Sequence, residues 1–146
     1  MRHPGFLLAL IGSLVAPAHA LDYRSTVDAA LLYDAPSTAA ARVAFAGKGV
    51  PLEIVVDTDL WAKVRDPSGR LAWIEKTALG HASSVMIRSE LAEIRQEPRI
   101  DAEVTFRAAR GVLLELTDEA RPFGWLPVRH PDGHRGWLPA RDAWGG

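Results

Sequence analysis

The chain has 146 residues, 48% of them hydrophobic and 24% charged, with a formal net charge of −1. Such a near-neutral mixture of signs does not suit a nucleic-acid partner, which would want a basic patch. Cysteine is absent, which excludes disulfides, thiolate metal centres and a cysteine nucleophile.

Arg2 and His3 precede an apolar run from Phe6 to Val15, and Ala18-His19-Ala20 has the small-x-small form of a signal-peptidase site. Residues 1–20 therefore read as a secretory signal cleaved after Ala20. The expected compartment is periplasmic or extracellular. The run falls short of the roughly 20 apolar residues that span a membrane, and no later segment is apolar enough to span. No cysteine follows it to carry a lipid anchor. Cleavage removes only Arg2 from the 17 basic residues and none of the 18 acidic ones, which shifts the net charge by one unit to −2.

Residues 21–80 form the first expected domain. Leu21 to Asp28 reads as an extended lead-in. Val50, Leu52 and Ile54 alternate with Pro51, Glu53 and Val55, the period of two that marks a strand. Trp61 to Val64 gives the following strand. Pro67-Ser68-Gly69 supplies a tight turn, with proline presetting φ and glycine taking positive φ. Leu71 to Ile74 returns. Gly80-His81-Ala82-Ser83-Ser84 is small and polar, and residues 81–84 are read as the linker.

Residues 85–146 form the second expected domain. Val85 to Arg88 reads as an entering strand. Ser89 to Glu93 fits either an extended segment or one helical turn. Then the first domain recurs. Trp61, Val64-Arg65, Pro67-x-Gly69 and Trp73 reappear as Trp125, Val128-Arg129, Pro131-x-Gly133 and Trp137. Upstream, Leu32, Pro36, Gly49-Val50, Leu52 and Ile54 match Ile94, Pro98, Gly111-Val112, Leu114 and Leu116 at an offset of 62, which becomes 64 at the tryptophans. The second copy thus carries two extra residues, in an acidic loop from Thr117 to Gly124 that reads as a hairpin tip tolerant of insertion. Pro127 cannot donate to a ladder, so its nitrogen should face an edge or a bulge. Five short strands per copy, without a long helical pattern, predict an all-β protein of two small barrels in tandem.

These residues resemble the bacterial SH3-like domain family. The second copy carries that pattern in Ile94, Arg95 and Pro98, then Gly111, Trp125, Val128, Gly133 and Gly136-Trp137-Leu138. The first carries Leu32, Pro36, Gly49, Trp61, Val64, Gly69 and Trp73-Ile74, with Tyr33 where the family has arginine and Ala72 where it has glycine. The resemblance implies SH3-like barrels that bind rather than catalyse, with cell-wall peptides or protein segments as partners.

Candidate site residues follow from the aromatic and charged positions. Repeated strand positions are usually core, so Trp73 and Trp137 read as core or half-buried support. Trp61 and Trp125 follow the hairpin loop and stand between core and groove lining. Tyr33, Trp61, Arg95, Trp125 and Trp144 form the expected ligand-binding set, since aromatic rings give area with one polar handle and arginine suits carboxylates. Arg99, Arg107 and Arg110 beside Glu97, Asp101 and Glu103 fit either a carboxylate site or surface ion pairs. His130 and His134 flank Asp132, but the first copy has Asp66 and Arg70 there, so polar residues merely suit that turn. No metal site or cofactor is expected. No Gly-x-Ser-x-Gly, His-Glu-x-x-His or phosphate-cradling motif occurs. Ser83, Ser84, His81 and Asp101 lack the rigid support a nucleophile needs. The expected function is an exported, non-catalytic binding or adaptor protein for cell-wall peptide or a partner's peptide segment. The alternative is a structural subunit docking on a periplasmic complex without a small ligand.

Overall fold

The computed structural model describes residues 20–146, so the predicted signal segment lies outside the described residues but for Ala20. The described chain is all-β apart from two single-turn 3₁₀ segments, Lys76–Ala78 and Ala140–Asp142. Among the described residues no helix is long and apolar enough to cross a membrane.

The first sheet contains β1 (Tyr23–Ser25), β2 (Ala30–Tyr33), β3 (Arg42–Ala46), β4 (Pro51–Asp57), β5 (Trp61–Arg65) and β6 (Leu71–Glu75). The second contains β7 (Ser84–Ile87), β8 (Leu91–Arg95), β9 (Val104–Ala109), β10 (Leu113–Leu116), β11 (Trp125–Arg129), β12 (Arg135–Pro139) and β13 (Ala143–Trp144). Residues 91–93 are therefore extended. All ladders are antiparallel, in the orders β1-β4-β5-β6-β2-β3 and β13-β7-β10-β11-β12-β8-β9.

Neither ladder closes into the expected barrel. Both sheets nevertheless curl. Laid flat, the four strand-to-strand steps from β9 to β10 would separate them by about 19 Å, at about 4.8 Å each. Yet the Val112 N–H donates to Ala109 O at 3.2 Å, a turn whose ends lie within about 7 Å. The bend therefore brings β9 back towards β10. Hydrogen-bonded closure fails because the slot beside β10 is already filled by β7, as the slot beside β4 is filled by β1. Register shifts at Leu32/Tyr33, Ile94/Arg95 and Ile54/Val56 supply the local twist that a bent sheet needs.

Inside each curl the alternating residues meet. The first core is Leu32, Leu52, Ala62, Val64, Ala72 and Ile74. The second is larger, adding Val85, Ile87 and Ala143 from the extra strands to the repeated Ile94, Leu114, Leu126, Val128 and Leu138. A fully buried aliphatic side chain contributes about 1.5–3 kcal/mol, so the second domain holds the greater share of apolar stabilisation. The four repeated tryptophans are half-buried and absent from both clusters. Aliphatic side chains fill the interior and leave the indoles at its margin. Gly69 and Gly133 hold φ of 88° and 97° in the matching hairpin turns, the conformation these turns demand. Pro127 lies one residue beyond the end of the β10–β11 register at Leu116–Val128. Its carbonyl accepts from the Thr117 N–H, so its nitrogen faces the place where the ladder has already stopped.

The linker is part of the packing. Ser25 and Ser84 are 2% and 8% exposed. The Ser84 hydroxyl donates to the Gly49 carbonyl, so the Ser25 hydroxyl, 3.0 Å away, donates to Ser84. The Ser83 N–H donates to Ser25 Oγ at 3.1 Å, and the Ser25 N–H to His81 O. Every polar group in this seal has a partner, as burial requires.

Candidate functional site

Tyr33 and Trp61 meet in the first domain. Tyr33 ends β2, where it pairs with Trp73, and is 8% exposed. Trp61 opens β5 after the hairpin loop. Their rings contact edge to face, with centroids 5.6 Å apart at 86°, an arrangement that the ring quadrupoles favour. Trp61 lines an open groove of ≈ 420 Å³ with Pro36, Thr38, Leu60, Glu75 and Thr77. Leu60 is 71% exposed, so the groove offers apolar surface flanked by a carboxylate and hydroxyls.

The corresponding pair in the second domain is different in kind. Arg95 is largely buried, its side chain 15% exposed. Its guanidinium donates to Glu93 at 2.6 Å and to Ala102 O at 2.8 Å. Its Nε is buried without a partner. Trp125 opens β11 opposite Pro139 and is half-buried. Arg95 is thus spent on local structure, whereas Tyr33 supports a groove-lining ring.

Trp144 stands at the domain junction. Its indole N–H donates to Pro51 O at 2.9 Å, and its ring meets Tyr23 edge to face at 5.4 Å. Burial, and then the Glu53 carboxylate, push the Tyr23 phenol above its usual value.

Two grooves not anticipated from the sequence flank the second tryptophan of each copy. Trp73 lines one of ≈ 380 Å³ with Asp34, Val43, Lys63 and Arg70. Trp137 lines one of ≈ 510 Å³ with Gln96, Glu103, Thr105 and Arg135. Asp34 and Gln96, Val43 and Thr105, and Lys63 and Pro127 are equivalent positions of the repeat, so one architectural feature occurs twice with different chemistry. The repeat pattern marked these positions, but assigned their indoles to support.

The remaining charged candidates are mostly self-satisfied. Arg99 bridges Glu97 at 2.8 Å and Asp101 at 3.0 Å, Arg107 bridges Glu93 at 3.1 Å, and Arg110 faces Glu90 at 3.8 Å. Asp57, at the end of β4, pairs with Lys76 at 2.7 Å. His130 and His134 both place Nδ1 2.9 Å from Asp132 Oδ1, with Phe106 against the two imidazoles. The backbone N–H of His134, then the imidazoles, hold the Asp132 carboxyl down at about 2. Among the described residues no group of three potential ligands is placed to hold a metal ion.

Among curated proteins the chain has no match. It is similar to two solved structures, NlpC1 and NlpC2 from Trichomonas vaginalis, at 14% and 13% identity and a TM-score of 0.40 each. Those similarities cover 94% and 88% of this chain but 50% and 49% of theirs, so the chain spans about half their length. The family model described as bacterial SH3 domain matches residues 26–80 and again 88–145, one match for each sheet, and the chain belongs to that family.

Proposed function

We propose that this is an exported binding protein that acts without catalysis, recognising cell-wall peptide or a peptide segment of a partner. The observation that carries this reading is the Trp61 groove. A half-buried indole, braced by Tyr33, lines an open apolar slot with Glu75 and Thr77 at its side. Open slots of this kind suit an extended chain whose backbone is hydrogen-bonded at the rim and whose side chains lie on the aromatic surface.

The test is co-sedimentation with purified cell-wall sacculi. Saturable pelleting by the parent and its loss in a folded Trp61→Ala variant is the expected result. No pelleting by the parent removes the wall as the ligand.

A second reading has its own observation. The matching hairpin loops end in Leu60-Trp61 and Phe123-Gly124-Trp125, with Leu60 and Phe123 71% and 104% exposed. Two such tips suit docking on a larger periplasmic protein. Capture of a defined partner that is lost in a Leu60→Ser, Phe123→Ser double variant, with sacculus binding absent, is the outcome that selects this reading.

A further inference from the structure

The twin grooves over Trp73 and Trp137 share their architecture and differ in charge. The Trp73 groove presents Lys63 and Arg70 against one carboxylate, Asp34. Lys63 has no ion-pair partner among the described residues, and Arg70 donates to Val43 O at 3.0 Å. At the Trp137 groove the lysine position is Pro127 and the aspartate position Gln96. The cation Arg135 faces Glu119 at 3.8 Å. The Thr117 hydroxyl donates to Glu119 and holds it below the usual carboxylate range. Glu103 lines the same groove without an ion-pair partner among the described residues. An aromatic face beside an unpaired carboxylate is a site for an ammonium group, because cation–π attraction and a charge-assisted hydrogen bond act together.

The groove also has length. It shares Thr117, Glu119 and Arg135 with an adjoining trough of ≈ 600 Å³, which runs past Asp118 and Arg121 to His81 and Ser83 of the linker. Arg129, within that trough, is paired with Glu115 at 2.5 Å. The loop carrying the two extra residues of the second copy forms its wall. A ligand seated there is extended and polar.

We infer that the Trp137 groove binds the primary amine of an extended peptide, between the indole face and the Glu103 carboxylate, and that the cationic Trp73 groove rejects the same group. This rests on the reading of the chain as a peptide-binding protein and adds the chemical group that the second domain selects.

The probe is the peptide Ala-Gln-Lys-Ala, acetylated and amidated at its ends so that the lysine side chain holds its one amine. Its Nε-acetyl form is the comparison. Titration of the purified protein by calorimetry, with indole N–H signals followed by NMR, should show about tenfold tighter binding of the free amine. The Trp137 signal should move and the Trp73 signal should not. Glu103→Gln should lose most of the preference for the free amine and keep only the part due to the indole face. Glu97→Gln, the same charge change on a residue outside the groove, should keep the preference. Equal affinity of the parent for the two peptides, an undiminished preference in Glu103→Gln, a response confined to Trp73, or no binding of either peptide overturns the inference. Pelleting with sacculi separates this failure from that of the broader reading. A parent that pellets but shows no amine preference remains a wall-binding protein. A parent that prefers the amine but does not pellet keeps the amine site and loses the wall.

Discussion

At the scale of single residues, the repeat provides its own controls. Gly136 and Ala72 occupy the same place in the two copies, and Ala72 is buried in the first core. A Cβ at Gly136 would lie 2.5 Å from Ile94 Cγ2 and 2.7 Å from the Arg95 carbonyl. Backbone cannot yield as a side-chain tip does, so Gly136→Ala should destabilise the second domain by about 1–3 kcal/mol. Ala72→Gly should cost about 1 kcal/mol, from backbone entropy and a lost methyl. Urea unfolding of both variants measures the contrast. Asp132 offers a second residue-scale test. Its pKa is depressed to about 2, so the stability it lends is present above the ordinary aspartate value. That stability is lost as pH falls through about 2. A carboxyl-carbon NMR titration should find its midpoint near that value. A midpoint at 3.8 or above contradicts the hairpin geometry.

At the scale of elements, the extra strands decide the architecture. β1 and β7 fill the slots where a closing strand would pair, and β13 lies outside β7. These same three strands build the junction. Trp144 on β13 reaches Pro51 and Tyr23, and Ser84 on β7 reaches Ser25 and Gly49. The smaller first core should therefore lean on this contact. Trp144→Ala removes a partly buried hydrogen bond and an aromatic contact, and should destabilise the protein by about 1–3 kcal/mol. It should also split a single thermal unfolding transition into two, with the first domain melting first. A single transition at the parental temperature would show that the junction does not couple the domains.

At the scale of the whole molecule, legibility followed the range of the interactions. Both copies, their period-two strands and their glycine turns were readable because each is a local pattern repeated. The all-β class followed from them. Barrel closure is not legible because residues 21–28 and 85–88 read as lead-in segments, and nothing local shows that β1 and β7 occupy the slots beside β4 and β10 where a closing strand would pair. Trp144 looked like a ligand-facing aromatic because its hydrogen-bond partner lies 93 residues away, beyond any local signal. The grooves beside Trp73 and Trp137 were hidden for a related reason. Repetition marks a strand position without saying whether its indole fills the core or edges a slot, and the Leu, Ile, Val and Ala core settles that only in three dimensions. Tyr33 and Trp61 both belong to the expected ligand-binding set, and their rings stand edge to face.

The protein contains five tryptophans, so one spectrum of indole N–H signals reports at once on the three grooves lined by Trp61, Trp73 and Trp137 and on the junction at Trp144. Titration of the isotope-labelled protein with soluble cell-wall peptide fragments is the most direct test of the central claim, that the chain binds peptide through its half-buried indoles. A saturable shift of the Trp61 signal is expected, with the Trp144 signal unmoved because its N–H is already engaged by Pro51. A spectrum in which Trp61 stays still across the titration would contradict that claim.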